Sequence, residues 1–174
     1  LPIVKTRFFN SYGPGEVPGQ YRNVIPNFIY WSMKGQPLPI TGEGKMTRDF
    51  TYVIDIVEAL MRAGFSEKAI GEEMNIASAR EIEIVQLAET INKLTGNKAG
   101  FSLTDRRKWD TKSRLLASID KARDLLGYDP QTKFEEGLIK TIQWFKDNWE
   151  NINRDAEFPP GMSSAVKNYV LSQV

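Results

Sequence analysis

The chain has 174 residues, 41% apolar and 26% charged, with 23 basic against 22 acidic side chains for a net charge of +1. That balance is typical of a soluble globular domain. It excludes a disordered polymer and a globally basic surface for nucleic acid, so any anion site must be local. Cysteine and histidine are both absent, which excludes disulfides, thiolate chemistry, a Ser/His/Asp triad and a zinc centre.

Leu1 to Asn10 is rich in β-branched and aromatic residues and reads as a strand that runs into the glycine and proline loop SYGPGEVPG. Such a loop, at the end of a strand in an α/β sheet, is where ligands are met. The chain opens on Leu1, already inside that strand, which reads as part of something longer or as a processed or engineered N-terminus. Asn23 to Gly35 has helical spacing through Ile25, Phe28, Ile29 and Met33, with Pro26 in the first turn and Gly35 as a stop. Leu38 to Val53 reads as a hairpin around GEGK, and Asp55 to Phe65 as a helix with Ile56, Leu60 and Ala63 on one side. Met74 to Ala77 is a short strand, and Glu83 to Leu94 a helix closed by Gly96. Phe101 to Leu103 reads as a strand, Ser118 to Leu126 as a short helix before Gly127, and Phe134 to Trp149 as a longer helix. From about Asn151 the pattern loosens, EFPPGMSS reads as linker, and Ala165 to Val174 forms a short docking helix or frays. Alternating strands and helices argue for an α/β or α+β body. No apolar run approaches the ~20 residues that cross a bilayer, and no signal leader opens the chain. The expectation is a cytoplasmic protein with no membrane or nucleic-acid partner, and the lack of cysteine agrees with it.

The segment GEGKMTRDFTYVID, Gly42 to Asp55, sets Arg48 between a two-glycine turn and an alternating aromatic strand, with an acidic helix start behind it. A planar, permanently charged fork on a stiff element suits bidentate recognition of a phosphate. The alternative is a β-hairpin with an exposed arginine.

Five fragments, taken in order, carry a resemblance. They are RFFNSYGPG (Arg7 to Gly15), NVIPNFI (Asn23 to Ile29), GEGKMTRDFTYVID, MNIASAREIEI (Met74 to Ile84) and RKWD followed by SIDKARDLLGYDP (Arg107 to Pro130). Together they resemble the C-terminal half of the extended short-chain dehydrogenases, the nucleotide-sugar epimerases, dehydratases and decarboxylases. The resemblance implies an α/β fold in which late strands and helices of a Rossmann-type parallel sheet are interleaved with a small α+β substrate-binding domain. Residues 1–150 would form this C-terminal part, and residues 151–174 an extension. It also implies NAD or NADP in the complete enzyme, with none held by this chain alone. The implied partners are a nucleoside diphosphate sugar and the missing N-terminal Rossmann half, and dimers are common in the family. The chain has no GxGxxG or GxxGxxG fingerprint, and its Tyr-x-x-x-Lys spacing, Tyr30 to Lys34, lies downstream of the place, ahead of Leu1, where the resemblance implies the family's acid/base pair. If it is the whole molecule, it should not turn over.

The same resemblance assigns substrate-binding roles to Asn10, Val24, Arg48, Asn75 and Arg107, and a place beside the cofactor to Phe9. It assigns no catalytic residue and no metal ligand. Asn10 would hydrogen-bond near the phosphates; an Asx-turn opening the SYGPG loop is the alternative. Phe9 and Val24 are equally readable as core, and Asn75 as a strand-end hydrogen-bonder. Arg48 would clasp the diphosphate. Arg107 would be the second arginine, although the family's Arg-Pro-Gly-Asp setting is replaced here by Arg107, Lys108, Trp109 and Asp110, which leaves Arg106 as a rival. Thr41 stands where the family often stacks an aromatic ring on the base. The resulting reading is the substrate-binding part of an NAD(P)-dependent nucleotide-sugar epimerase or dehydratase that works through a keto intermediate. The alternative is a non-catalytic nucleotide-sugar-binding or assembly module without the cofactor domain.

Overall fold

The computed structural model describes residues 1–20, 22–106, 112–156 and 158. The first half contains β1 (Lys5–Phe8), β2 (Ser11–Tyr12), α1 (Val24–Met33), β3 (Leu38–Thr41), β4 (Thr47–Asp49), β5 (Thr51–Tyr52), α2 (Val53–Phe65) and β6 (Glu73–Ile76). There follow β7 (Glu81–Glu83), α3 (Ile84–Thr95), β8 (Phe101–Thr104), β9 (Arg114–Leu115), α4 (Asp120–Leu126), α5 (Phe134–Asp147) and α6 (Trp149–Asp155). Three parallel pairs, β1 with β6, β2 with β5 and β3 with β8, lie beside a mixed sheet in which β4 is central between β7 and β9.

Two apolar cores result. The larger gathers α1, β3, α3 and α5 around Ile29, Leu38, Ile40, Leu87, Ile91 and Phe145, all fully buried. Helix α1 is buried from Ile25 through Ser32, so its sequence is apolar all round rather than on one stripe. The smaller core packs α2 and α4 on β6 through Ala59, Met74, Ile76, Ala122 and Tyr128. Helix α3 ends as its sequence directs: Gly96 takes the left-handed conformation at φ +78° and returns its N–H to the Asn92 carbonyl.

Three expectations are corrected. Leu38 to Val53 is not a hairpin, because β3 pairs in parallel with β8, Leu38 opposite Phe101, while β4 pairs antiparallel with β7. The intervening turn wraps the start of α3 instead. Gly44, at φ +74°, accepts the Val85 N–H at 3.2 Å, and an added Cβ would overlap the Val85 side chain. Partners so distant in sequence leave no local pattern, so the glycine turn mimics a hairpin signal. On α2 the buried residues are Ile56, Ala59 and Ala63, whereas Leu60 is 42% exposed. Beyond Asn151 the chain stays helical to Asp155. Ile152 is buried there and the Tyr30 hydroxyl donates to Asn153 Oδ1 at 3.1 Å, so tertiary contact stabilises a polar segment. The expected helix over residues 165–174 lies outside the described residues.

The larger core also dictates a glycine. An added Cβ at Gly137 on α5 would overlap Tyr12 Oη and press on the Tyr52 ring. Gly137→Ala should therefore destabilise the chain by about 1–3 kcal/mol, the usual magnitude for overpacking a filled site. Urea unfolding checks this, with an unchanged m-value expected.

Candidate functional site

The site is built around β4. Alternation along the strand sends Arg48 and Asp49 to opposite faces. Arg48 lies opposite Ile82 of β7 and Leu115 of β9. Its guanidinium is half-buried and directed, with Nη1 donating to the Thr47 carbonyl at 2.8 Å.

Asp49 is fully buried. Its Oδ1 accepts from the Ser78 N–H at 2.9 Å and the Ser78 hydroxyl at 2.6 Å. Its Oδ2 accepts from the Ala79 N–H at 3.1 Å and the Ala117 N–H at 3.4 Å. A buried carboxylate needs such partners, since without them it is strongly destabilising. Its backbone carbonyl accepts from Asn10 Nδ2 at 3.0 Å, and the Asn10 carbonyl accepts the Thr51 N–H at 3.3 Å. The end of β1 is thereby clipped to the end of β4.

Asn75 sits on β6 opposite Arg7 and donates from Nδ2 to the Ser118 carbonyl at 3.1 Å. Ser118 follows Ala117, so Asn75 holds the same segment that Asp49 holds. Three of the sequence-derived candidates, Asn10, Arg48 and Asn75, therefore belong to one connected network. Val24 is not among the residues this network joins; it starts α1, half-buried against the larger core. Phe9 packs with Val4 and Leu125 against the smaller core, while its N–H reaches the Ile76 carbonyl at 3.2 Å. Arg107 lies outside the described residues. Arg106 is described, and its aliphatic carbons lie against Gly42, at the head of the turn that leads to Arg48.

Asp49 itself, with Ser78, Ala79 and Ala117, was missed by sequence reasoning. A carboxylate inside the alternating run TRDFTYV is the signal that points to it. Asp55 makes a second buried anchor, accepting the Gln131 and Thr132 N–H groups at 3.2 and 3.3 Å. Burial, followed by the nearby Asp55 carboxylate, pushes the Tyr12 and Tyr128 phenols well above the usual tyrosine range. Both act as neutral donors, Tyr12 to the Phe134 carbonyl at 3.1 Å and Tyr128 to the Ala77 carbonyl at 3.0 Å. Among the described residues, no helix begins on a glycine-rich turn of the GxGxxG type. They likewise contain no cluster of acidic residues placed to hold a metal, and no helix long and apolar enough to cross a membrane.

Comparison with known proteins identifies the family. The family model described as GDP-mannose 4,6 dehydratase matches residues 1–141. The chain belongs to this family, the extended short-chain dehydrogenases that include the NAD-dependent nucleotide-sugar epimerases and dehydratases. A solved epimerase, Mth375 of Methanothermobacter thermautotrophicus, is 58% identical with a TM-score of 0.89, over 90% of this chain and 47% of that one. The Bordetella bronchiseptica enzyme WbmF, solved with NAD+ and UDP, is 34% identical with a TM-score of 0.78, over 99% of this chain and 51% of that one. A UDP-N-acetyl-alpha-D-glucosaminuronate decarboxylase of Bacillus cytotoxicus is 37% identical over 84% of this chain and 47% of its own length. The chain thus spans about half of these relatives, and the α/β architecture of late Rossmann elements with a small domain is the one they share.

Across β4, from β9 to β7, Arg114 donates twice to Glu81, from Nε and Nη2 at 2.7 Å each, and the Thr47 hydroxyl of β4 adds a third bond. The Arg114 bonds, then the Thr47 bond, hold Glu81 down to about 2 from an ordinary 4.5. Because the folded value is the lower one, the pair's contribution is complete above pH 4.5 and fades as the pH falls towards 2. A carbon-detected NMR titration should place the Glu81 midpoint near 2, and Arg114→Ala should return it towards 4.5.

Proposed function

We propose that this chain is the substrate-binding part of an NAD(P)-dependent nucleotide-sugar epimerase or dehydratase. It would hold a nucleoside diphosphate sugar while the sugar passes through a keto intermediate. The observation that carries the reading is the connection of Asn10, Arg48 and Asn75 through Asp49 at the ends of three strands. Arg48 contributes a fixed charge whose fork matches phosphate oxygens, with Asn10 beside it and Arg106 or Arg107 as the second arm. The diphosphate is not broken in such reactions, so holding this remote group orients the sugar. The cofactor, and the residues that move protons on the sugar, would lie in the part not contained in this chain, which alone would be inactive. A cytoplasmic setting and homodimeric assembly belong to the same reading.

Exposed apolar surface favours this reading over a self-sufficient binding module. Parallel strands are normally covered on both faces. Here Leu1, Ile3 and Phe8 around β1, and Ile54, Met61 and Phe65 on α2, are about half exposed or more. Between them runs a groove of about 480 Å³ lined by Pro2, Val4, Leu60, Phe65 and Ile70. A Rossmann half pairing with the open edge of β1 would cover this surface.

Two experiments follow. In calorimetric titrations with UDP-, dTDP- and GDP-sugars, Arg48→Ala should weaken binding of the best ligand at least about tenfold, or ~1.4 kcal/mol, and Arg48→Lys should recover only part of it. Equal affinity in all three proteins removes Arg48 from the site. Co-expression with the half of the Methanothermobacter epimerase that this chain does not cover should yield a co-purifying complex that binds less of a hydrophobic dye than the chain alone. A chain that stays separate and equally dye-reactive favours the independent module.

A further inference from the structure

Among the described residues, two that are not glycine have positive φ, Asn10 at +31° and Ala79 at +56°. Such backbone is strained and persists only where its surroundings over-determine it. Both residues are held by Asp49: Asn10 donates from its side chain to the Asp49 carbonyl, and Ala79 donates its N–H to Asp49 Oδ2. We infer that Asp49 is a positioning residue, which sets the diphosphate site by fixing both strained positions against the strand that carries Arg48. The inference rests on the diphosphate reading above and deepens it.

Asp49 does not itself meet a ligand. It is fully buried, both its oxygens are engaged, and strand alternation turns it away from the Arg48 face. Its grip falls on segments distant in sequence. Ser78 and Ala79 leave β6, Ala117 follows β9, and Asn10 ends β1. The Ala117 segment is held a second time, one residue on, by Asn75. One residue thus fixes the mutual placement of Asn10, Arg48 and Asn75, holding Asn10 through its backbone carbonyl, while its negative charge matches donors that face inward from two loops.

Replacing one carboxylate oxygen by an amide group turns a donor towards donors. Asp49→Asn keeps the size of the side chain yet leaves inward N–H groups opposed. Ala79 and the Ala117 segment are then free to relax, while Asn10 keeps its bond to the Asp49 backbone carbonyl, and Arg48 keeps its charge while losing its neighbours' placement. A merely structural role would lower stability and leave the affinity of the folded protein unchanged. A positioning role makes the contribution of Arg48 depend on Asp49.

The test is a calorimetric double-mutant cycle with UDP as probe, on the full chain, at a temperature where circular dichroism shows every variant folded. Wild type should bind, and Arg48→Ala and Asp49→Asn should each lose about tenfold, an energy of ~1.4 kcal/mol. In the Asp49→Asn background, Arg48→Ala should lose less than about threefold more, the non-additivity expected of groups that act together. Ser78→Ala, which removes the hydroxyl donor to Asp49 and the acceptor of the Arg80 N–H but leaves the carboxylate in place, should lose about two- to threefold and couple to Arg48→Ala in the same direction. If Asp49→Asn does not fold, the Ser78 cycle decides. Wild-type affinity in folded Asp49→Asn, or full additivity, overturns the positioning role while leaving the Arg48 site intact. A wild type that binds no UDP removes the diphosphate reading and this inference with it.

Discussion

A carboxylate can be buried only where its oxygens meet donors, and at Asp49 that requirement organises the centre of the molecule. Four hydrogen bonds to its side chain and one to its carbonyl draw in the turn after β6, the segment after β9 and the end of β1. None of these segments is long or apolar enough to find that arrangement by packing alone. The strand that carries Asp49 on its buried side presents Arg48 on the other, so the anchoring of the strand and the placement of its cation are one fact.

Asp55 repeats the device at the joint between the two cores. From α2, which packs in the smaller core, it accepts two N–H groups of the segment entering α5, which packs in the larger. Within the larger core, Tyr12 holds the Phe134 carbonyl at the start of α5, and Gly137 gives its ring the space to do so. Directional polar bonds thus tie α2 to the entry of α5. This holds loops in register where a hydrophobic seam would let them slide. A ligand gripped at strand ends needs that kind of rigidity.

The remaining surface describes a molecule with an open side. Beside β1 and α2 it exposes aromatic and aliphatic side chains that a covered parallel sheet would bury, and the chain spans about half of its solved relatives. The residues that grip and those that transform are, on the proposed reading, divided between this chain and the rest of the enzyme.

Much was legible without coordinates because helices announce themselves locally. The apolar spacing of α3 and α5 and the glycine after α3 follow from the 3.6-residue period and the left-handed cap. The family fragments likewise named Arg48, Asn10 and Asn75, because residue identity at set spacing is a property of the chain alone. Pairing was not legible: β3 finds β8 and β4 finds β7 across long stretches of sequence, and the two glycines between them imitate a hairpin while Gly44 serves to pack α3. Nor was α6, a polar segment made helical by burying Ile152. Asp49 marks the boundary most clearly. The sequence by itself determined that a carboxylate stands next to Arg48 in an alternating strand. Only the tertiary structure decided that it faces inward to backbone N–H groups from two loops, because those donors have no side-chain identity for a sequence to display.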